Sequence, residues 1–198
     1  MSKYFTTKKI TYMAVFTALV ALATAFLSIP NGIGYTNLGE TFIFVAGSFF
    51  DPFFAFIVSG LGSAIADMSL GYFIYAIPTF IIKGLEGFLV SILVKTLLKK
   101  CNELISILLS FLLGALIMVF GYFITNTLLY SFYEATIAIT NDLIQGGINL
   151  VLGITLTIVL AKIGLFNKVS NSKLLEKCNE KHTNNKWFIC FWELFADS

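Results

Sequence analysis

Two stretches of this chain, Thr11–Val94 and Leu104–Ala161, hold 142 residues and only seven charges: Glu40, Asp51, Asp67, Lys83, Glu86, Glu134 and Asp142. The remaining 56 residues hold the other 17. No water-soluble particle of this size can be wrapped in so little polar surface; an ordinary soluble domain carries about 25% charged residues, against 12% here. A soluble enzyme, a nucleic-acid binder and a disordered chain are therefore excluded as classes. The pattern is that of an all-α integral membrane protein crossing the bilayer several times, with a basic tail.

A membrane helix needs about 20 apolar residues. Ile10–Ile29 supplies the first, and it ends at Pro30 without a cleavage pattern of small residues. Residues 30–39 read as a loop of turn formers. Thr41–Phe50 and Pro52–Ala66 are apolar but short, at about 1.5 Å per residue against a core of about 30 Å, so both are expected to be buried against other helices or steeply packed rather than to be ordinary spans. Residues 68–75 form a second loop, Ala76–Leu98 a fourth helix, Leu104–Tyr130 a fifth. Residues 131–141 form a third loop and Leu143–Ala161 a last span. The expected fold is a six-helix transmembrane bundle with short helices 2 and 3. It divides into a binding domain, 1–166, and a cytoplasmic tail, 167–198.

Orientation follows from lysine, the only basic residue type apart from His182. Lys3, Lys8 and Lys9 precede helix 1; Lys95, Lys99 and Lys100 follow helix 4; Lys162 and five more follow helix 6. The loops after helices 1, 3 and 5 have none. Six crossings put all three groups on one face, so both termini are expected in the cytoplasm, with the protein in the cell membrane. The tail closes on an aromatic run, Trp187–Phe195, too short to span; it reads either as an interfacial helix at the headgroups or as a frayed, disordered end.

Several chemistries lack their residues. Cys101, Cys178 and Cys190 form no CxxC pair, and they are expected as free thiols. His182 lies in the tail, so no histidine metal site is expected within the membrane. There is no P-loop, so the chain itself is not expected to hydrolyse ATP.

An ionisable residue at membrane depth costs roughly 3 kcal/mol or more and marks a functional candidate. Lys83 stands out, about 10 Å below the outer start of helix 4, with Glu86 on the same face at i+3. Glu40 at the start of helix 2, Asp67 at the end of helix 3, and Asn141, Asp142, Gln145 and Asn149 on helix 6 converge in the outer half, with Asn126 on helix 5. Tyr35, Phe42, Tyr72, Tyr75 and Phe80 flank them. Apolar or aromatic walls with a few placed polar groups suit a flat heterocycle. The inner half has almost no polar groups, which describes a pocket open to the outside rather than a pore. The blander alternatives are a structural Lys83–Glu86 pair, interhelical amide bonds and solvated helix ends; Asp51 and Glu134 read as ordinary loop charges. Small residues line two faces. Gly60, Gly62, Ser63, Ala64 and Ala66 suit close internal packing, while Ala14 and Ala18 suit either packing or docking to another membrane protein.

Four motifs in order, Asn37-Leu38-Gly39-Glu40, Gly62-Ser63-Ala64-Ile65-Ala66-Asp67 with Gly71-Tyr72, Phe80-Ile81-Ile82-Lys83-Gly84-Leu85-Glu86-Gly87, and Asn141 with Gln145, resemble the substrate-binding S components of energy-coupling factor (ECF) vitamin transporters. The branch they resemble is the hydroxymethylpyrimidine and pyridoxine one of the riboflavin type, over residues 8–166. The resemblance implies a high-affinity site for a water-soluble vitamin or precursor, with riboflavin as the next choice. It places Glu40, Asp67, Lys83, Glu86, Asn141 and Gln145 there, beside Tyr35, Tyr72 and Tyr75. It also implies docking through the Ala14/Ala18 face onto a transmembrane coupling subunit (EcfT-like) that carries two cytoplasmic ATPases. No catalytic residue, metal, cofactor or nucleic acid is implied. A non-transport structural or sensory bundle would need no converging polar groups. An intramembrane enzyme would need a nucleophile–base pair, and none is evident.

Overall fold

The structure, a computed structural model, describes residues 7–30, 34–98 and 101–163. Its elements in chain order are α1 (Thr7–Phe26), β1 (Ser28–Pro30), β2 (Tyr35–Asn37), α2 (Gly39–Phe49), α3 (Pro52–Ser69), α4 (Phe73–Leu97), α5 (Glu103–Leu129) and α6 (Phe132–Ile163). The expected tail, with its aromatic run, Cys178 and Cys190, lies outside the described residues.

Five helices, all but α2, are long and apolar enough to cross a membrane. That corrects the expectation of a short third helix. The N-terminal Pro52 starts α3 where a missing N–H costs nothing, and the helix runs 18 residues, past Asp67. It stops in a Schellman arrangement: Gly71 N–H donates to the Met68 carbonyl at 3.3 Å and Tyr72 N–H to the Asp67 carbonyl at 2.8 Å. Gly71 sits at φ 85°, a conformation open to glycine. The expected eight-residue loop 68–75 thus shrinks to a turn, and α4 begins at Phe73.

Residues 131–141 are not a loop either. The α5–α6 connection is Tyr130-Ser131, and the Ser131 hydroxyl accepts the Glu134 N–H at 3.2 Å, ending the turn and starting α6. Ser-x-x-Glu is the spacing of a capping box. Glu134 is accordingly a first-turn helix residue, and Asn141 lies in the third turn of α6 rather than before it.

Within the expected loop 30–39, Pro30 and Tyr35–Asn37 are strand residues. β1 and β2 pair antiparallel, with Ser28 opposite Asn37 and Pro30 opposite Tyr35. From this hairpin the chain enters α2, which is only 11 residues, about 16 Å long. All but Phe42 of its residues are buried, and it packs against α1, α3, α4 and α6. A helix so short and so enclosed is a core strut, begun inside the bundle. Glu40 is therefore buried at depth, fully inaccessible, rather than solvated at an outer end.

The apolar core fills the half of the bundle toward the end of α4. Phe44 stacks on Phe111 with centroids 4.6 Å apart, and Phe16 meets Phe50 edge-on at 5.2 Å. Around them lie Val20, Ile43, Phe49, Val90, Val94 and Ile107. Several buried hydroxyls in this half turn to backbone carbonyls, as Ser91 does to Phe50 at 2.7 Å and Ser110 to Ser106 at 2.6 Å. The small residues of α3 pack internally as expected: a Cβ on Gly62 would lie 2.8 Å from the Thr17 carbonyl oxygen of α1. At this end Asp51 is more than a loop charge. It binds Lys95 at 3.0 Å and Lys9 at 3.9 Å, tying α1, the α2–α3 junction and α4 together. Ala14 and Ala18 are exposed on α1.

Candidate functional site

In the other half the helices part around a cavity enclosing about 610 Å³ of empty space, its open mouth included. Helical spacing builds its walls. On α4, Tyr75, Thr79 and Lys83 follow at i, i+4 and i+8; on α3, Ser63 and Asp67 at i and i+4; on α6, Ala138, Asp142 and Gln145 at steps of four and three. Tyr122 and Asn126 come from α5, Thr24 from α1, and Gly34, Tyr35 and Asn37 from the hairpin. Because α4 begins at Phe73, Lys83 lies about 15 Å below that start, deeper than expected from sequence.

Under the cavity floor sits a buried ionic cluster. The Lys83 ammonium is 2.9 Å from Glu86 Oε2 and 3.4 Å from Glu40 Oε2, and all three side chains are almost or wholly inaccessible. The Tyr122 ring also lies near the ammonium, with the centroid 5.9 Å away. Isolated, any of these charges would be untenable at that depth; together the carboxylates offset the lysine. Gln145 joins in, its Nε2 donating to Glu40 Oε2 at 3.1 Å.

Two amides of α6 hold the entry to α2. Gln145 Oε1 accepts the Asn37 N–H at 2.9 Å, and Asn149 Nδ2 donates to the Asn37 carbonyl at 2.8 Å. Asn149 Oδ1 accepts from the Thr41 N–H at 3.0 Å and the Thr41 hydroxyl at 2.7 Å. Asn37 Oδ1 then accepts the Gly39 N–H at 2.9 Å. Both ends of the Gln145 amide are thus committed to protein.

The aromatic wall is hydrogen-bonded as well as stacked. The Tyr35 hydroxyl donates to Asp67 Oδ1. Burial first, then the Asp67 carboxylate, push the Tyr35 phenol up, so it stays a donor at neutral pH. Its ring lies 5.1 Å from that of Tyr72. The Tyr75 hydroxyl donates to Asn126 Oδ1 at 2.7 Å, and the Thr79 and Tyr122 hydroxyls are 3.1 Å apart. Phe80 instead packs edge-on against Phe56, outside the lining.

The sequence-predicted groups therefore separate into three. Tyr35, Asp67, Tyr72, Tyr75, Lys83 and Gln145 line the cavity. Glu40 and Glu86 lie beneath it, reaching it through Lys83. Asn141 is half-buried but does not line it; Asp142, one residue on, does. The helix explains the exchange, since residues 138, 142, 145 and 149 share one face, and position 141 falls at its edge. Nothing in the sequence singles out Thr24, Thr79 or Tyr122, because a lone hydroxyl in an apolar helix usually bonds back to its own backbone.

Chemically, the cavity combines flat tyrosine faces, carboxylate acceptors and an ammonium at the floor. That is a site for holding a small polar aromatic molecule. The chain matches the profile of the family described as ECF-type riboflavin transporter, S component, over residues 4–163. It is 33% identical to an uncharacterised protein of Pyrococcus woesei across 69% of this chain and 88% of that one. It is 29% identical to the thiamine precursor transporter HmpT of Lactococcus lactis subsp. cremoris (strain MG1363), across 81% of this chain and 92% of the relative. With the apolar helices and the polar cavity, these matches establish that the chain belongs to the family of ECF-type riboflavin transporter S components.

Proposed function

We propose that this protein binds a thiamine precursor, hydroxymethylpyrimidine or the chemically related pyridoxine, and delivers it for ATP-driven uptake. The observation that carries the reading is the cavity itself: tyrosines and carboxylates close over a charged floor, and an apolar core seals the bundle below. The match to the thiamine precursor transporter HmpT supports the choice of ligand. Riboflavin, named in the family description, is the second reading. Glu40, Asp67, Lys83, Glu86, Gln145 and the three tyrosines are the proposed binding set, with Glu40, Glu86 and Gln145 acting through the groups they orient.

The termini are cytoplasmic in this reading, and the cavity opens outward. The lysines Lys9, Lys95 and Lys162 all lie toward the end opposite the cavity, which supports it. In intact cells an impermeant thiol reagent should miss the exposed Cys101 and label Ser131→Cys, both in a Cys178→Ser/Cys190→Ser background. Labelling of Cys101 alone would reverse the orientation. Family membership implies an EcfT-like coupling subunit and two ATPases as partners. The exposed Ala14/Ala18 face of α1 is the proposed contact.

The identity of the ligand is tested by releasing small molecules from protein purified without added vitamin. Mass spectrometry should find hydroxymethylpyrimidine or pyridoxine. Riboflavin would select the second reading, and a lipid alone would refute both.

A further inference from the structure

The sign of charge that the cavity presents can be read from what Lys83 has already committed. Its ammonium sits between Glu40 and Glu86 and is 2% exposed. Glu40 and Glu86 already hold the lysine, and Asp67 and Asp142 are two further carboxyl groups of the lining that make no ion pair among the described residues. Both have an unanswered acceptor. Asp67 is 2% exposed; its Oδ1 takes the Tyr35 hydroxyl, and its Oδ2 has no hydrogen-bond partner. Oδ2 of Asp142 is buried without a partner too, and among the described residues Asp142 makes no ion pair. The Ser63 hydroxyl, one turn before Asp67, is a third buried group without a partner. A buried acceptor left without a donor is costly. These three lie on α3 and α6, on different walls of one cavity.

We propose that Asp67 and Asp142 form the charge-reading pair of the site. Each accepts an N–H or O–H donor from one edge of the ligand, and together they select a neutral or cationic alcohol against its phosphate ester. This rests on the binding function proposed above and names which chemical form is bound. A phosphate held a few ångströms from two carboxylates at protein-like dielectric is disfavoured by about two factors of ten or more.

The test is calorimetry on the purified full chain with three pairs of compounds: hydroxymethylpyrimidine, pyridoxine and riboflavin, each with its phosphate ester. The alcohol that binds should do so at least about a hundredfold more tightly than its ester. Asp142→Asn should weaken the alcohol about ten- to a hundredfold, leave the ester no weaker, and so contract the ratio. Its melting temperature should hold or rise, since no internal ion pair is lost. Asp67→Asn, which keeps an acceptor for Tyr35, should contract the ratio likewise. A wild-type ratio below about ten, or an unchanged ratio in both variants, overturns this inference and leaves the binding function standing. Binding of none of the six compounds overturns the binding function and this inference with it.

Discussion

Gln145 on α6 donates to Glu40 on α2 across 3.1 Å, while its carbonyl oxygen takes the Asn37 N–H at 2.9 Å. One side chain therefore fixes both the hairpin exit and a member of the ionic cluster. Replacing it with leucine leaves a buried backbone donor and a carboxylate oxygen short of a partner, at about 1–3 kcal/mol each. Gln145→Leu should lower the melting temperature by several degrees and weaken ligand binding about tenfold or more. Scanning calorimetry and titration on the same preparation check this. Weakened binding with full stability would make Gln145 a direct ligand contact instead.

Lys83 divides structural from binding roles. Lys83→Met keeps the stem and leaves Glu40 and Glu86 facing each other unpaired, an error worth about 3–5 kcal/mol in a buried pair. The single variant should be strongly destabilised. Lys83→Met/Glu86→Gln removes one carboxylate and should recover much of that loss, a coupling measurable as a double-mutant cycle. Additive effects in the cycle would contradict the shared cluster.

Tyr35 links the hairpin to Asp67 at the cavity wall. Tyr35→Phe removes one hydrogen bond to a charged group, worth about 1.5–3 kcal/mol. Ligand dissociation should be about tenfold faster or more, with association little changed. Burial holds the phenol protonated, so its contribution is present below the ordinary tyrosine range and lost only as pH rises through the higher folded value. The variant-to-wild-type ratio of off-rates should therefore be the same at about pH 6 and about pH 8. Stopped-flow release of bound ligand measures both.

Ala14 and Ala18 are exposed on α1. Ala14→Trp or Ala18→Trp should abolish uptake by holding a coupling subunit away, while ligand affinity in the isolated protein stays within about threefold of wild type. Uptake in cells and titration of purified protein separate the two. Loss of folding would assign this face to packing.

The charge desert across Thr11–Val94 and Leu104–Ala161 made the membrane class legible, and its seven interruptions marked much of the site. Lys83, Glu86, Glu40 and Asp67 stood out because a charge in an apolar helix is expensive, and the structure gathers all four at the cavity or beneath it. What could not be read was depth. Apolar length marks α2 as too short for an ordinary span and packed against other helices, which its burial bears out, but not how far inside the bundle it begins. Polar residues 131–141 read as a loop because they interrupt hydropathy, yet Ser131 and Glu134 carry the capping spacing that starts α6 there. Asn141 enters the expected site through the resemblance, whereas the helix face shared with Gln145 and Asn149 puts Asp142 in the lining. Thr79 and Tyr122 carry no charge and sit in apolar helices, so only contact across α4 and α5 reveals them.

The central claim is that this chain alone binds a thiamine precursor in the cavity between Tyr35, Asp67, Lys83 and Asp142. Isothermal titration of the purified protein with hydroxymethylpyrimidine and pyridoxine, without ATP or partner subunits, tests it most directly. One molecule should bind per chain with a dissociation constant of about 1 μM or tighter, near −8 kcal/mol. Absence of heat with both compounds, alongside clear binding of riboflavin, would contradict it.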